Sequence, residues 1–231
     1  TDIPRELWTR FLEEAGLEPE LAFNPRFFVG HFFLPKTEAG RLEEFYELLR
    51  REGQPLGVRP VLFRRGEVVS EVLGPVGRRT EPIFLQVAGL SPDGDGPLWE
   101  LGLRLEASFP VHVVSLSTYS VVYKVRGAAE LLKRYYPELS RPEFKSAIAL
   151  GHNRYSTNTL STFEQVQPFG LLGHNGEINT IERLRRELDY LGIPRTGGSD
   201  SQDLNRRWEG LIYRFGLTLP EAMDLVFPPV L

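Results

Sequence analysis

Residues 27–34, FFVGHFFL, carry the reading on which the fold turns. An uninterrupted apolar run of this length predicts a buried strand. Working outward, residues 3–15 place Leu7, Trp8, Phe11 and Leu12 at helical spacing, with Pro4 near the start, where its missing N–H costs little. Downstream, Thr37 is a candidate cap for a helix through Arg50, with Leu42, Phe45, Tyr46 and Leu49 on one face. Short strands are expected at Val58–Phe63 and Ile83–Val87, a loop over 91–97, and two more strands over 110–116 and 120–125. Ala128–Tyr135 reads as a short helix ended before Pro137. Ser146–His152, Phe169–His174 and Ile178 read as a further strand region. Helices are expected over Asn179–Leu191, where Ile181, Leu184, Leu188 and Leu191 recur at helical spacing, and over 203–215 and 218–227. Strands and helices come in blocks and do not alternate strictly, which favours α+β layers over a doubly wound parallel sheet.

The composition is that of a globular chain: 231 residues, 41% apolar and 25% charged, with a formal net charge of −4. That charge argues against a nucleic-acid footprint, which needs clustered positive charge. No apolar run approaches the ~20 residues that span a bilayer, so no membrane role is expected. There is no cysteine, which excludes disulfides, thiolate metal sites and cysteine catalysis by these residues. A cytoplasmic protein is the expectation that fits. No repeat, low-complexity tract or composition shift marks a linker, so residues 1–231 are expected to form one domain. The chain begins with Thr and not Met, so residues are expected upstream.

Three polar clusters stand out: GHNRYSTNT (151–159), GHNGEINT (173–180) and GGSDSQDLN (197–205). Each sits at the end of an expected element, where binding and catalysis concentrate. Each also has a plain structural explanation. Asn175-Gly176 is a hairpin-turn signal. His152 and His174 suit a core or a rim. The Ser-Thr-Asn-Thr run suits a loop or cap. Ser199, Asp200 or Ser201 suits the N-cap of the following helix.

Taken together, the clusters are more specific. HNRYSTNT, then QPFGLLGHNGEINT, then SDSQ closely resembles the class II glutamine amidotransferase domain of the glutamate synthase large subunit. FFVGHFFLP (27–35), SLSTYSVVYKVRG (115–127) and LTLPEAMDLVFPP (217–229) are similar to further stretches of that family, so the likeness runs along the whole chain in order. The resemblance implies an N-terminal-nucleophile-hydrolase-like αββα sandwich. It also implies release of ammonia from the side-chain amide of glutamine, giving glutamate. The nucleophile in the family is the thiol of an N-terminal cysteine, with the α-amine as base.

By the same resemblance, Asn175 (side-chain amide) and Gly176 (backbone N–H) would form the oxyanion hole. Arg154 would grip the substrate carboxylate with its guanidinium fork, and Asp200 the ammonium. Ser156, Thr157, Asn158, His174 and Glu177 complete the expected substrate-binding set. The implied partner is a synthase domain or subunit carrying FMN and an iron–sulfur cluster, where ammonia meets 2-oxoglutarate. These 231 residues show no phosphate-binding Gly loop and no thiolate ligand for either cofactor.

The departure from the family is the missing cysteine. Thr1 opens Asp-Ile-Pro and a helix, not a strand facing a pocket, which argues against its serving as the nucleophile. The nucleophile strand and C-terminal strands are therefore expected outside these residues, leaving the sandwich incomplete. The competing expectation is a non-catalytic glutamine- or glutamate-binding module that kept the pocket and lost the nucleophile.

Overall fold

A computed structural model of the chain describes residues 1–153, 162–174 and 178–227. The fold is α+β. The described residues form one four-stranded antiparallel sheet and eight α-helices. Strands β1 (Phe27–Leu34), β2 (Arg59–Arg65), β3 (Ile83–Leu90) and β4 (His112–Ser117) lie in the order β2-β3-β1-β4. Helix α2 (Leu42–Gly53) links β1 to β2, the short α3 (Pro75–Thr80) precedes β3, and α4 (Gly96–Ser108) links β3 to β4. Each of the two crossovers skips one strand, which makes this a split βαβ arrangement.

Every residue of β1 and of β3 is buried. The cause is cover on both faces. On one face Phe28, Phe32 and Leu34 pack with Phe45, Leu48 and Leu49 of α2 and Leu98, Leu101 and Leu105 of α4. On the other, Phe27 and Val29 meet Leu7, Trp8, Phe11 and Leu12 of α1 (Arg5–Glu14). Further along that face, Phe33 and Phe84 meet Tyr135 and Tyr136 at the end of α5 (Leu131–Tyr135).

A polar layer separates these last two apolar clusters. Val122 O lies 2.9 Å from His31 Nδ1, so that nitrogen donates and Nε2 is left to accept from Gln86 Nε2 at 3.1 Å. Gln86 also donates to Glu138 at 2.7 Å, and the Tyr123 hydroxyl donates to the same carboxylate at 2.6 Å. Burial pushes the His31 imidazole down to about 4, so it is held neutral, as this bonding requires.

Several expected elements take another form. The helix expected from Thr37 starts as a 3-10 turn over Lys36–Arg41, and Thr37 caps nothing; its hydroxyl meets Glu38 instead. Residues 120–125 form no ladder beyond an isolated bridge at Ser120, because Val121 exchanges backbone hydrogen bonds with Thr1 and Val122 N donates to the Ser115 hydroxyl. Residues 146–152 are not a strand either: the Asp2 carboxylate accepts from Ala147 N and Ile148 N at 3.2 and 3.3 Å. Phe169 N donates to Leu172 O at 2.7 Å, a tight turn where a strand was expected. The expected turn at Asn175-Gly176 lies outside the described residues. Helix α4 was passed over in the sequence because it buries more than one side: Trp99 turns away from the sheet to meet Leu188 and Ile193.

The C-terminal layer follows the sequence more closely. Helix α6 spans Ile181–Tyr190, α7 Asp200–Glu209 and α8 Leu219–Val226. A π-turn over Gly210–Arg214 continues α7, so the expected helix 203–215 begins three residues early and changes pitch at its end. Ser199 is the N-cap of α7 and forms a capping box with Gln202.

Candidate functional site

Two of the expected site residues, Asp200 and His174, meet at the N-terminus of α7. Asp200 is its first residue, and its Oδ1 accepts from Ser201 N at 2.7 Å. The Ser201 hydroxyl lies 3.2 Å from the same carboxylate oxygen. Among the described residues Asp200 Oδ2 has no partner. One oxygen of Asp200 is thus held by the helix start.

His174 reaches the same serine, with its Nε2 2.7 Å from Ser201 Oγ. His174 N donates to Gln167 Oε1 at 2.8 Å, and His152 Nε2 donates to His174 O at 3.0 Å. Of the residues picked out by sequence, the structure therefore brings together His152, His174 and Asp200. Arg154, Ser156, Thr157, Asn158, Asn175, Gly176 and Glu177 lie outside the described residues. In the chain they directly follow the His152–Asn153 and Gly173–His174 segments placed here.

Helix α7 does most of the positioning, and it does so with polar side chains. Ser201, Gln202, Asp203 and Asn205 are all buried. Asn205 Oδ1 accepts from Leu171 N at 2.9 Å, and Gln202 Nε2 donates to Glu164 O at 3.1 Å. One helix face thus holds the segment 164–174 at three points. The opposite side of the helix start is anchored through Asp203, which accepts from Thr196 N and Arg185 Nε at 3.0 and 2.8 Å.

A second donor meets the Glu164 carbonyl. Lys124 Nζ lies 3.2 Å from Glu164 O and 4.4 Å from the centre of the Phe169 ring. The side chain is buried, and that burial pushes its ammonium down to about 7, against the pull of Glu164, Glu106 and Glu209. Behind α7 a cavity of about 170 Å³ opens between α4, β4 and residues 169–171. Glu209, on its wall, is raised by burial, partly offset by Arg206.

Sequence reading missed Ser201, Gln167, Gln202, Asn205 and Lys124 as site-shaping residues. Lys124 left a trace, a lone cation inside the apolar run SVVYKV. Ser201, Gln202 and Asn205 lie in the 197–205 cluster and Gln167 opens QPFGLL, but neither stretch announces these side chains as buried and site-shaping, since a polar helix face reads as solvated. Among the described residues no group of three His, Asp or Glu could hold a metal ion, and no helix is long and apolar enough to cross a membrane.

The family profile of the class II glutamine amidotransferases matches residues 1–231. The chain is 31% identical over 264 residues to glutamate synthase [NADH] of Saccharomyces cerevisiae, covering 98% of this chain and 12% of the yeast protein. It is 29% identical over 232 residues to the glutamate synthase [NADPH] large chain of Azospirillum brasilense, covering 88% and 15%. It is 31% identical over 257 residues to ferredoxin-dependent glutamate synthase 2 of Synechocystis sp., covering 99% and 16%. The chain thus spans 12% to 16% of the length of these relatives.

Proposed function

The chain belongs to the class II glutamine amidotransferases, and from that premise we propose that it is the glutamine-hydrolysing part of a glutamate synthase. The observation that carries the proposal is the junction of Asp200 with the His174 segment through Ser201, since Asn175 and Gly176 follow His174 directly. Asp200 binds the substrate ammonium through its carboxylate, and Arg154 binds the substrate carboxylate. Ser156, Thr157, Asn158, His174 and Glu177 line the remainder. A thiolate attacks the amide carbon, and the oxyanion rests on the Asn175 amide and the Gly176 N–H. Ammonia leaves, water cleaves the thioester, and glutamate is released with the thiol restored.

The thiol must come from outside these residues, which contain no cysteine. Support for a missing flank comes from the run before His152. Ile148 and Leu150 are 76% and 64% exposed, an apolar stretch suited to cover by a further strand. On this reading such a strand brings the nucleophile, and with C-terminal strands it supplies the second sheet that an αββα sandwich requires. The ammonia passes to 2-oxoglutarate on a synthase domain or subunit bearing FMN and an iron–sulfur cluster. The residues of this chain fit neither group, having no thiolate and no phosphate-binding loop, and no step here runs through them.

The missing cysteine favours a second reading, a binding module that senses glutamine or glutamate. The test uses the complete native polypeptide, assayed for ammonia release and glutamine affinity. Release with Asp200→Asn and Arg154→Ala each raising KM about 10- to 100-fold supports the glutaminase, by the ~1.5–3 kcal/mol typical of a hydrogen bond to a charged group. Binding without release selects the sensor. Unchanged affinity in both variants refutes the pocket.

A further inference from the structure

The hydroxyl of Ser201 is shared by three groups, and only one assignment satisfies all of them. A hydroxyl has one proton to give and two lone pairs. An ionised Asp200 can only accept, and it lies 3.2 Å away. Gln167 Nε2 can only donate, at 3.4 Å. His174 Nε2, at 2.7 Å, must then be the second donor. The same Gln167 side chain accepts from His174 N through its other end at 2.8 Å. Gln167 and Ser201 thus close a ring on His174, holding its backbone at one point and its imidazole at another. His152 holds the His174 carbonyl at 3.0 Å, the half-peptide that leads into Asn175.

We propose that Ser201, with Gln167 behind it, is a positioning residue that fixes the chain leading into Asn175 and Gly176 against the ammonium-binding Asp200. This rests on the glutaminase reading above and deepens it. Glutamine is held at its ammonium end and reacts at its amide end. The two ends must be gripped at a set separation for the oxyanion to meet its donors. Among the described residues, Ser201 is the side chain that meets both Asp200 and His174. It transfers no proton to substrate; it sets distance. A misplacement of about 1 Å at such a site costs on the order of 10²-fold in rate.

The experiment compares wild type, Ser201→Ala and Ser201→Thr in the complete polypeptide. Glutaminase kinetics are read alongside hydrogen exchange at the His174 amide and the urea midpoint. Ser201→Ala should lower kcat about 10- to 100-fold with KM within about threefold, below the ~10²–10³ of deleting an oxyanion donor outright. Exchange at His174 should quicken about tenfold as the ring around it opens. Ser201→Thr keeps the hydroxyl and should restore both. A Ser201→Ala enzyme with unchanged kcat, a Thr variant as impaired as Ala, or a loss that tracks the urea midpoint overturns the proposal. Wild type that releases no ammonia overturns the glutaminase reading and the catalytic role with it. Exchange at His174 then still decides whether the clamp exists, and unchanged exchange in Ser201→Ala denies it.

Discussion

At Lys124 the chain places an ammonium where water does not reach. Its folded-state value of about 7 stands against an ordinary 10.5. Between those values the unfolded chain holds a proton that the folded chain lacks, so unfolding takes one up and stability rises with pH. Below about 7 both states are protonated and the side chain contributes its least. Glu164, Glu106 and Glu209 moderate the effect, and His112, also pushed down by burial, is the other base nearby. The expected outcome is that the stability of wild type relative to Lys124→Met increases from pH 7 to pH 9, at most about 1.4 kcal/mol per pH unit for one proton. Urea midpoints at the two pH values check this, and parallel pH curves would sink it. The sequence displayed Lys124 but not its burial, because a lone cation in an apolar run also suits an edge position.

Among the elements, β3 shows how closely backbones can be pressed. A Cβ built on Gly89 would stand 2.3 Å from Arg59 O and 2.8 Å from Pro60 Cα. Gly89 faces Pro60 where the β2–β3 register shifts between Pro60 and Leu62. Proline has no N–H for the ladder, the strand bulges there, and only a residue without a side chain lets the two backbones meet. Gly89→Ala should destabilise by at least the ~1–3 kcal/mol of ordinary overpacking, since the obstacle is backbone and cannot rotate away. A urea midpoint equal to wild type would contradict this. The elements legible in the sequence were those with one apolar face or two fully covered ones, such as β1, α1 and α6. Helix α4 escaped because it is buried toward both α2 and α6, which blurs its period. Residues 120–125 and 146–152 misled for the opposite reason: they are apolar runs whose backbone hydrogen bonds go to residues 1 and 2 and not to a ladder. In the site, the acid and the histidines were legible as motifs. The polar face of α7 that holds them was not, because burial of a polar face depends on partners distant in the chain.

Across the whole molecule, the α6–α8 layer meets the sheet through α4. Arg206 of α7 pairs with Glu106 of α4 at 2.6 Å, the two side chains 13% and 21% exposed. Arg206→Ala leaves Glu106 facing Glu209 and Asp95 across the cavity. Removing one partner from a buried pair costs about 3–5 kcal/mol, and the remaining exposure places this pair toward the lower end. The layer should loosen before the sheet does. Limited proteolysis should then cut between α5 and α6 at lower protease than wild type needs, with sheet peptides still protected. Uniform sensitisation would reject the seam. The pairing of Thr1 with Val121, 120 residues away in sequence, has a consequence for synthesis. A ribosome adding about 5–20 residues per second finishes the first helix long before its anchor exists. The Thr1 segment then waits on the order of ten seconds for its partner to emerge. Asp2 waits longer still, for the backbone at Ala147 and Ile148. Anything tethered ahead of Thr1 is therefore brought beside Ala147 and Ile148 late in translation, after all four strands of the sheet have been synthesised.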